Sequence, residues 1–348
     1  MKTCIFCGNK PESKTKEHVI PKWLIEMTGD PNRITLLGKY RDTLRKYPWK
    51  NFTFPACDKC NGEYAKLESR VKIVIQKLLE KLSLSEMEIN DLLDWLDKVR
   101  IGIWLGHIQL DKQDDLKPNF HIKQRLGVSD RMASISYIKD NRLGIGYTGT
   151  EFPAFRTSPS CFTLFINNVA IFNLSKEFAF TRRLGFPFPK KILFVPNESR
   201  VQIDDFDSGT ERIMFPIIRK NILSNSVRIY QAIFKVAGKY SPPEIETEYF
   251  SKYFIDGKAK IFIENDFTGE IGFMEGNLNI GKSVDLNRTF LMNKLAIQTL
   301  EFQNYCLTEL CPCYELLDDD ERKKRNQFYR ENIKFNIHYI NKLKKNVS

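Results

Sequence analysis

The sequence lacks several features that would place it in other classes of protein. It has no run of eighteen apolar residues, because asparagines interrupt its most apolar stretch, Cys161 to Leu174; this argues against a transmembrane helix. No unit of about twenty to fifty residues repeats, which argues against a solenoid or a propeller. No apolar segment typical of a secretory signal follows Met1, and we therefore expect a cytoplasmic protein.

The composition is that of a globular protein with a large core and a basic surface. Its 348 residues suit two or three domains, and 42% of them are hydrophobic, including 26 Phe. The formal net charge is +11, and residues 1–70 hold 14 Lys and Arg against 8 Asp and Glu. This excess favours a polyanionic partner, although a basic protein without a nucleic-acid partner would show the same charge.

Two helices are predicted after the first seventy residues. Apolar residues recur at helical spacing from Val71 to Leu82. Ser85, three residues before Glu88, predicts a capping box at the start of a second helix. The apolar pattern of that helix ends near Leu110, where a polar connector begins.

The rest of the chain is predicted to be rich in strands, with helices at its end. From about Phe120 to Met274, short alternating or β-branched runs are separated by turn residues, which is typical of strands. Asp140 and Asn141 suggest a hairpin turn. Apolar spacing from Leu286 to Cys306 indicates a helix, and Asp318 opens a last helix with acids at its N-terminus, where the helix dipole favours them.

Two C-x2-C pairs stand near the N-terminus, at Cys4 and Cys7 and at Cys57 and Cys60. In a cytoplasmic chain such cysteines are metal ligands or thiols more often than disulfides. Two pairs together complete the four-thiolate shell that structural zinc takes, so we predict one shared zinc ion. Two separate sites and a redox motif are the alternatives, and a zinc ribbon that serves only stability or passive binding would also fit.

The residues around these pairs resemble those of the HNH endonucleases. An acid–histidine pair followed by a proline appears as Glu17-His18-Val19-Ile20-Pro21, and the second knuckle leads directly into Asn61. The zinc knuckles, the acid–histidine pair, the proline and the asparagine occur in the order typical of that family. The resemblance covers about residues 1–70 and implies a ββα-metal fold for them.

The resemblance also implies the chemistry of a phosphodiesterase. His18 would be the general base, because an imidazole can accept a proton from water at neutral pH. Glu17 and Asn61 would hold a catalytic divalent ion, and their oxygen donors suit Mg²⁺ or Mn²⁺ better than zinc. A histidine without a catalytic task and an asparagine that caps a helix are the structural alternatives.

The sequence departs from the family pattern at the remaining motif positions. The family often has an asparagine nine residues before the last motif residue; Phe52 stands there, with Asn51 one position away. A basic residue or histidine often follows the last motif residue by three or four positions, where the sequence has Tyr64 and Ala65. Supporting roles are therefore predicted for Asn51, Lys66 and Glu68.

Basic residues surround the motif and alternate with aromatic ones toward residue 50. Such a segment can follow a nucleic-acid backbone, although a solvated loop has the same composition. The predicted nucleic-acid-binding residues are Lys16, Lys22, Arg41, Arg45, Lys46 and Lys50.

These observations predict an α+β protein with three regions. Residues 1–70 form the zinc-containing ββα-metal module, residues 71–112 a helical linker, and residues 113–348 a β-rich and C-terminally helical recognition or regulatory domain. The predicted function is DNA cleavage by a regulated effector of a restriction or anti-phage defence system. The C-terminal region would sense a target or a protein partner, and its size would suit an Argonaute-associated domain. The alternatives are a non-catalytic zinc-containing nucleic-acid-binding protein and a protein-interaction subunit.

Overall fold

The structure is a computed structural model. It describes the backbone of residues 3–12, 15–29, 34–40, 43–110, 118, 120–181, 184, 188–195, 200–207, 226–233, 254–255, 258–264, 271–280, 285–308 and 319–345. The combination of helices with a mainly antiparallel sheet confirms the α+β class. None of the described helices is long and apolar enough to cross a membrane.

The N-terminal region contains two short antiparallel strands followed by a long helix. In this pairing Glu17 lies opposite Phe54 and His18 opposite Thr53. A short helix and a hairpin fill the sequence between the two strands. In chain order the elements are β1 (Lys16–His18), α1 (Lys22–Met27), β2 (Ile34–Tyr40), β3 (Thr43–Pro48), β4 (Thr53–Pro55) and α2 (Asp58–Leu79). The arrangement of β1, β4 and α2 is a ββα unit.

Helix α3 (Glu86–Leu110) is the central helix of the molecule. Its start is the predicted capping box: the Ser85 backbone N–H donates to Glu88 at 2.8 Å, and the Glu88 N–H donates to Ser85 Oγ at 3.3 Å. Nearly every side chain from Ile89 to Ile108 is buried. A helix that is buried on all sides lies inside a core and not on its surface.

An eight-stranded sheet follows α3 in the chain. Its path is β15–β14–β11–β5–β8–β7–β6, and β16 pairs in parallel with the end of β5. The remaining elements are β5 (Asp130–Ile138), β6 (Ile145–Thr148), α4 (Pro153–Thr157), β7 (Cys161–Ile166), β8 (Val169–Lys176), β9 (Phe188–Val195), β10 (Arg200–Asp207), β11 (Val227–Gln231), β12 (Phe254–Ile255), β13 (Lys258–Ala259), β14 (Phe262–Glu264), β15 (Ile271–Phe273), β16 (Asp285–Leu286), α5 (Arg288–Thr308) and α6 (Asp319–Lys344). The pairs β9–β10 and β12–β13 form separate two-stranded sheets.

The hairpin turn predicted at Asp140 is wrong. Strands β5 and β6 flank this segment, but β5 pairs with β8 and β6 pairs with β7. Asp140 instead accepts hydrogen bonds from Arg288 at the start of α5, at 2.6 and 2.7 Å. Turn residues indicate a local turn, but they do not decide which strands pair, because partner choice in a sheet depends on residues far away in the sequence.

Both faces of the large sheet are covered. Successive side chains of a strand point to opposite faces, and in β8 Ile171 packs with the core around α2 and α3, whereas Phe172 packs with α5 residues Leu295 and Phe302. The same core contains Cys4 and the other buried residues of the N-terminal region. The predicted boundary at residue 70 falls inside α2, so the division into three regions stays a prediction.

Buried charges connect α3 to the sheet. Asp97, which is fully buried, accepts from Arg100 at 2.8 Å and from Arg131 of β5 at 3.3 Å. Arg100 also donates to the Pro159 carbonyl at 2.8 Å, and Arg131 donates to Gln231 at 2.6 Å. Because a buried charge needs a partner, these contacts fix the orientation of α3 against the sheet.

We expect Asp97→Ala to lower the free energy of unfolding by about 3 to 5 kcal/mol, because it leaves the buried guanidinium of Arg100 without its carboxylate. Glu26→Ala is the control: it removes a surface pair with Lys22 whose side chains are 58% and 77% exposed, and exposed pairs contribute little. Urea unfolding would measure both variants. Equal effects would contradict the structural role of Asp97.

Candidate metal centre and active site

The four N-terminal cysteines come together in the structure. All four Sγ atoms lie within 4.8 Å of one another. The Cys57 Sγ is 3.8 Å from that of Cys4 and 3.9 Å from that of Cys7, and a tetrahedral zinc with bonds near 2.3 Å requires sulfur separations of about 3.8 Å. The donor set and its geometry thus fit a metal such as zinc, as the two C-x2-C pairs predict.

Backbone contacts hold the first knuckle in place beside the second. The Cys4 N–H donates to Asn9 and the Gly8 N–H to the Cys4 carbonyl, at 2.8 and 2.9 Å. Gly8 has φ of +79°, and a Cβ there would lie 2.7 Å from the ring of His121, so glycine is required. The Ile5 N–H donates to the Pro55 carbonyl of β4 at 2.9 Å.

The protein environment shifts the thiol pKa values in different directions. Burial raises the pKa of Cys4 and of Cys60. The pKa of Cys57 is lowered, chiefly by a hydrogen bond from the Cys60 backbone, and the Cys57 N–H itself donates to the Cys4 sulfur at 3.3 Å. Since a metal binds thiolates, occupation of this site would release protons.

His18 is the last residue of β1 and is half-buried. Its Nε2 lies 3.2 Å from the carbonyl oxygen of Lys50. A carbonyl only accepts, so Nε2 carries the proton in this contact and Nδ1 keeps its lone pair. Burial is the main cause that lowers the pKa of His18, which keeps the imidazole neutral and able to accept a proton near neutral pH.

Glu17 and Glu68 meet a buried lysine beside His18. We call these residues, Glu17, Glu68 and Lys98, the acid–lysine cluster. Lys98 lies on α3 with 1% of its side chain exposed; its Nζ donates to Glu17 Oε1 at 2.6 Å and also to Glu68 Oε1. The predicted ion ligand Glu17 and the supporting residue Glu68 are therefore brought together, around an ammonium group.

Sequence reasoning missed Lys98. Its only signal is a lysine among the apolar and charged residues of α3, where Asp97 and Arg100 stand beside it, and this pattern does not say which charge is buried or what its partner is. Burial acts to lower the pKa of Lys98, but the carboxylates of Glu68 and Glu17 outweigh this and raise it. Burial raises the pKa of Glu68, against the effect of Lys98. The two acids thus share one buried cation.

Asn61 lies in the first turn of α2 and is not its N-cap. The helix begins at Asp58 with Cys57 as N-cap, and the Asn61 N–H donates to the Cys57 carbonyl at 2.9 Å. The capping alternative is wrong because the second knuckle itself forms the helix start. Among the described residues, only the four cysteines form a group of three or more His, Cys, Asp or Glu ligands around one point.

The other predicted site residues lie on the surface of the N-terminal region or outside the described residues. Asn51, Lys16 and Lys50 are exposed near β1 and β4, and Lys66 is exposed on α2. Lys22 is exposed on α1 and lies 3.6 Å from Glu26. The structure does not describe Arg41, nor the side chains of the β3 residues Arg45 and Lys46.

Comparison with models of protein families, with curated proteins and with solved structures finds no match in any of the three.

We expect Cys60→Ser to abolish stoichiometric zinc binding and to destabilise the fold by several kcal/mol, because four-thiolate sites contribute directly to folding. The control is Cys306→Ser, which changes a buried cysteine of α5 outside the cluster. Elemental analysis of the purified chains and thermal unfolding would measure both effects. Full zinc content in Cys60→Ser would refute the site.

We expect Lys98→Met to make stability strongly dependent on pH. Burial already raises the pKa of Glu68 in the folded state, and without the ammonium this pKa rises further above the unfolded value near ~4.3. The stability that depends on a protonated Glu68 carboxyl is therefore retained at low pH and lost as the pH rises through its raised folded-state pKa. The unfolding free energy of Lys98→Met should fall further below wild type at pH 8 than at pH 5, whereas exposed Lys72→Met should show no such trend.

Proposed function

We propose that this protein is an HNH-type endonuclease that hydrolyses DNA phosphodiester bonds at His18. The observation that carries the proposal is the orientation of this histidine: the Lys50 carbonyl, 3.2 Å from Nε2, binds the ring N–H and leaves Nδ1 as a base. The side chain stands at the end of β1 in a ββα unit. Carboxylates that can hold a cation lie on the neighbouring residue and on α2.

The catalytic step assigned to His18 is proton removal from water. Nδ1 accepts the proton as the water oxygen forms a bond to phosphorus, and the P–O bond to the leaving sugar oxygen breaks. A neutral imidazole is needed for this, and the lowered pKa of His18 supplies it at neutral pH. Among the described residues, the only hydrogen bond of its ring is the one to Lys50.

Glu17 and Asn61 would hold a divalent ion, Mg²⁺ or Mn²⁺, at this site. When bound, such an ion supplies Lewis acidity and neutralises charge on the phosphate and on the leaving oxygen. Glu17 presents its Oε1 to Lys98, and Oε2 has no partner within the described part of the chain. The oxygen donors of Glu17, Asn61 and Glu68 are the kind that these ions prefer.

The four-cysteine cluster would hold zinc in a structural role. Four sulfur ligands close the coordination shell and leave no position for substrate. The same proposal places DNA across the exposed lysines Lys16, Lys22 and Lys50 of this region. The large remainder of the chain would recognise a target or a protein partner in the cytoplasm, as in restriction or anti-phage defence, with an Argonaute-associated system as one case.

One observation favours a second candidate, a zinc-containing nucleic-acid-binding or protein-interaction subunit without catalysis. Lys98 already neutralises both Glu17 and Glu68, and a carboxylate pair that is satisfied by an ammonium group has less affinity for a divalent ion. This candidate predicts a zinc-containing protein that shows no cleavage with Mg²⁺ or Mn²⁺ on any substrate. A subunit of the interaction type would also show no affinity for naked DNA.

We expect His18→Ala to reduce cleavage of supercoiled plasmid at least 10²-fold, the usual contribution of a general base, with zinc content and thermal stability unchanged. Reactions with Mg²⁺, with Mn²⁺ and without added divalent ion would establish the metal dependence. The matched control is His121→Ala, which removes the half-buried histidine that lies against Gly8.

Wild-type cleavage by the His18→Ala variant would rule out this residue as the base. Loss of cleavage in both variants would indicate a structural effect common to the two histidines. DNA binding by the wild-type chain without any metal-dependent cleavage would favour the second candidate.

A further inference from the structure

Helix α6 carries a straight row of cationic and polar residues along its outer face. Each member follows the previous one by three or four residues, which keeps them on one side of a helix of 3.6 residues per turn. The members of this cationic row are Lys323, Gln327, Arg330, Lys334, His338, Asn341 and Lys345. No acidic residue occupies a position of the row, but Glu331 lies beside it and accepts a hydrogen bond from Gln327 at 3.0 Å.

The opposite face of α6 packs on the body of the protein. Asn336 and Ile340 are buried there, and Asn336 Nδ2 donates to Asn304 of α5 at 2.8 Å. Tyr339 stacks edge to face on Phe152 at 5.1 Å between ring centroids. Because α6 is anchored along this face, the cationic row is held outward as a fixed surface.

Three cations of the row, Lys323, Arg330 and Lys334, are available to an external anion. Arg330 makes a long contact of 3.3 Å to the Asn326 carbonyl of its own helix. Within the described part of the chain, Lys323, Arg330 and Lys334 form no ion pair with an acidic residue. Every residue of the row is exposed, and Lys345, which follows the last residue of the helix, has a further interaction.

We propose that the cationic row of α6 binds the phosphate backbone of double-stranded DNA. The row extends from Lys323 to Lys345, and its twenty-two helical rises of 1.5 Å give a length of about 33 Å, which is close to one turn of the duplex, about 34–36 Å. Lysine and arginine contact successive phosphates, and glutamine and asparagine donate to phosphate oxygens. The row itself contains no apolar residue, and the exposed apolar side chains of α6, Phe328, Phe335 and Ile337, are not part of it.

This inference rests on the proposed function for its choice of DNA, but it concerns a surface outside the nuclease motif. It assigns to α6 a binding role that is independent of base sequence, because phosphate contacts orient a duplex without reading it. Substrate affinity would therefore come from α6 as well as from the lysines near His18. The row would contribute the same binding energy at every DNA sequence that the protein cleaves.

The test measures binding without cleavage. A thirty-base-pair fluorescent duplex is titrated with the full chain in the His18→Ala background and without added divalent ions, so that any zinc stays bound and no cation supports cleavage. A gel confirms that the probe stays intact. The row variant combines Lys323→Gln, Arg330→Gln and Lys334→Gln. The matched control combines Lys72→Gln, Lys139→Gln and Arg142→Gln, which removes the same charges at exposed sites elsewhere.

We expect the row variant to bind the duplex at least tenfold more weakly. The slope of log K against log salt should become less steep by about two to three, since each lost phosphate contact contributes about 0.9. The control variant should keep the wild-type slope. A charge-preserving variant, Lys323→Arg with Arg330→Lys and Lys334→Arg, should bind as wild type, and thermal unfolding should show that all variants remain folded.

Equal loss of binding in the row and control variants would overturn the proposal, because it would mean that only total charge matters. So would unchanged affinity of the row variant, or tighter binding of the wild-type chain to vesicles of anionic lipid than to the duplex. Failure of the nuclease proposal has a different signature: it appears in cleavage by the His18→Ala variant, or in no cleavage by the wild-type chain, and leaves these affinities unaffected.

Discussion

The buried charges on one turn of α3 are the constraint on which the rest of the structure depends. Lys98 is directed to the acids of β1 and α2, whereas its neighbour Asp97 is directed to Arg131 of the sheet. Transferring an unpaired charge into a protein interior is very unfavourable. The N-terminal ββα unit and the sheet therefore each have to supply a specific partner, and α3 aligns both of them at once.

This constraint also defines what the candidate active site can do. Lys98 neutralises Glu17 and Glu68 in a place that is largely closed to water, which keeps both carboxylates fixed without a metal. A divalent ion at Glu17 would act beside an ammonium group that is already present. The charge on Lys98 thus separates the two proposed functions: a nuclease needs the free oxygen of Glu17 to bind a divalent ion, and a binding subunit does not.

Local features of the structure and the meeting of the two cysteine knuckles were predictable from the sequence, but the other long-range pairings were not. The capping box at Ser85 depends on residues three positions apart, and the knuckles depend on the C-x2-C spacing, so a short window contains their physical cause. Glu17 and Lys98 are 81 residues apart, and no periodicity reports such a contact. The same reason explains the wrong hairpin at Asp140, because a sheet chooses its partners by packing and not by proximity in the chain.

Helix α2 connects the metal centre to the other parts of the site. Cys57 is its N-cap and Cys60 lies in its first turn, Glu68 follows about two turns later, and near its end the Leu78 carbonyl accepts a hydrogen bond from Tyr137 of β5 at 2.7 Å. A helix is stiff over this length, so a shift of its first turn displaces the later ones. A zinc ion at the cysteines would therefore fix the position of Glu68 along α2 relative to Lys98. Because Lys98 also binds Glu17, the ion would indirectly fix the carboxylate of Glu17 as well. In the proposed nuclease, a structural zinc ion would thereby determine whether Glu17 and Glu68 come together beside His18.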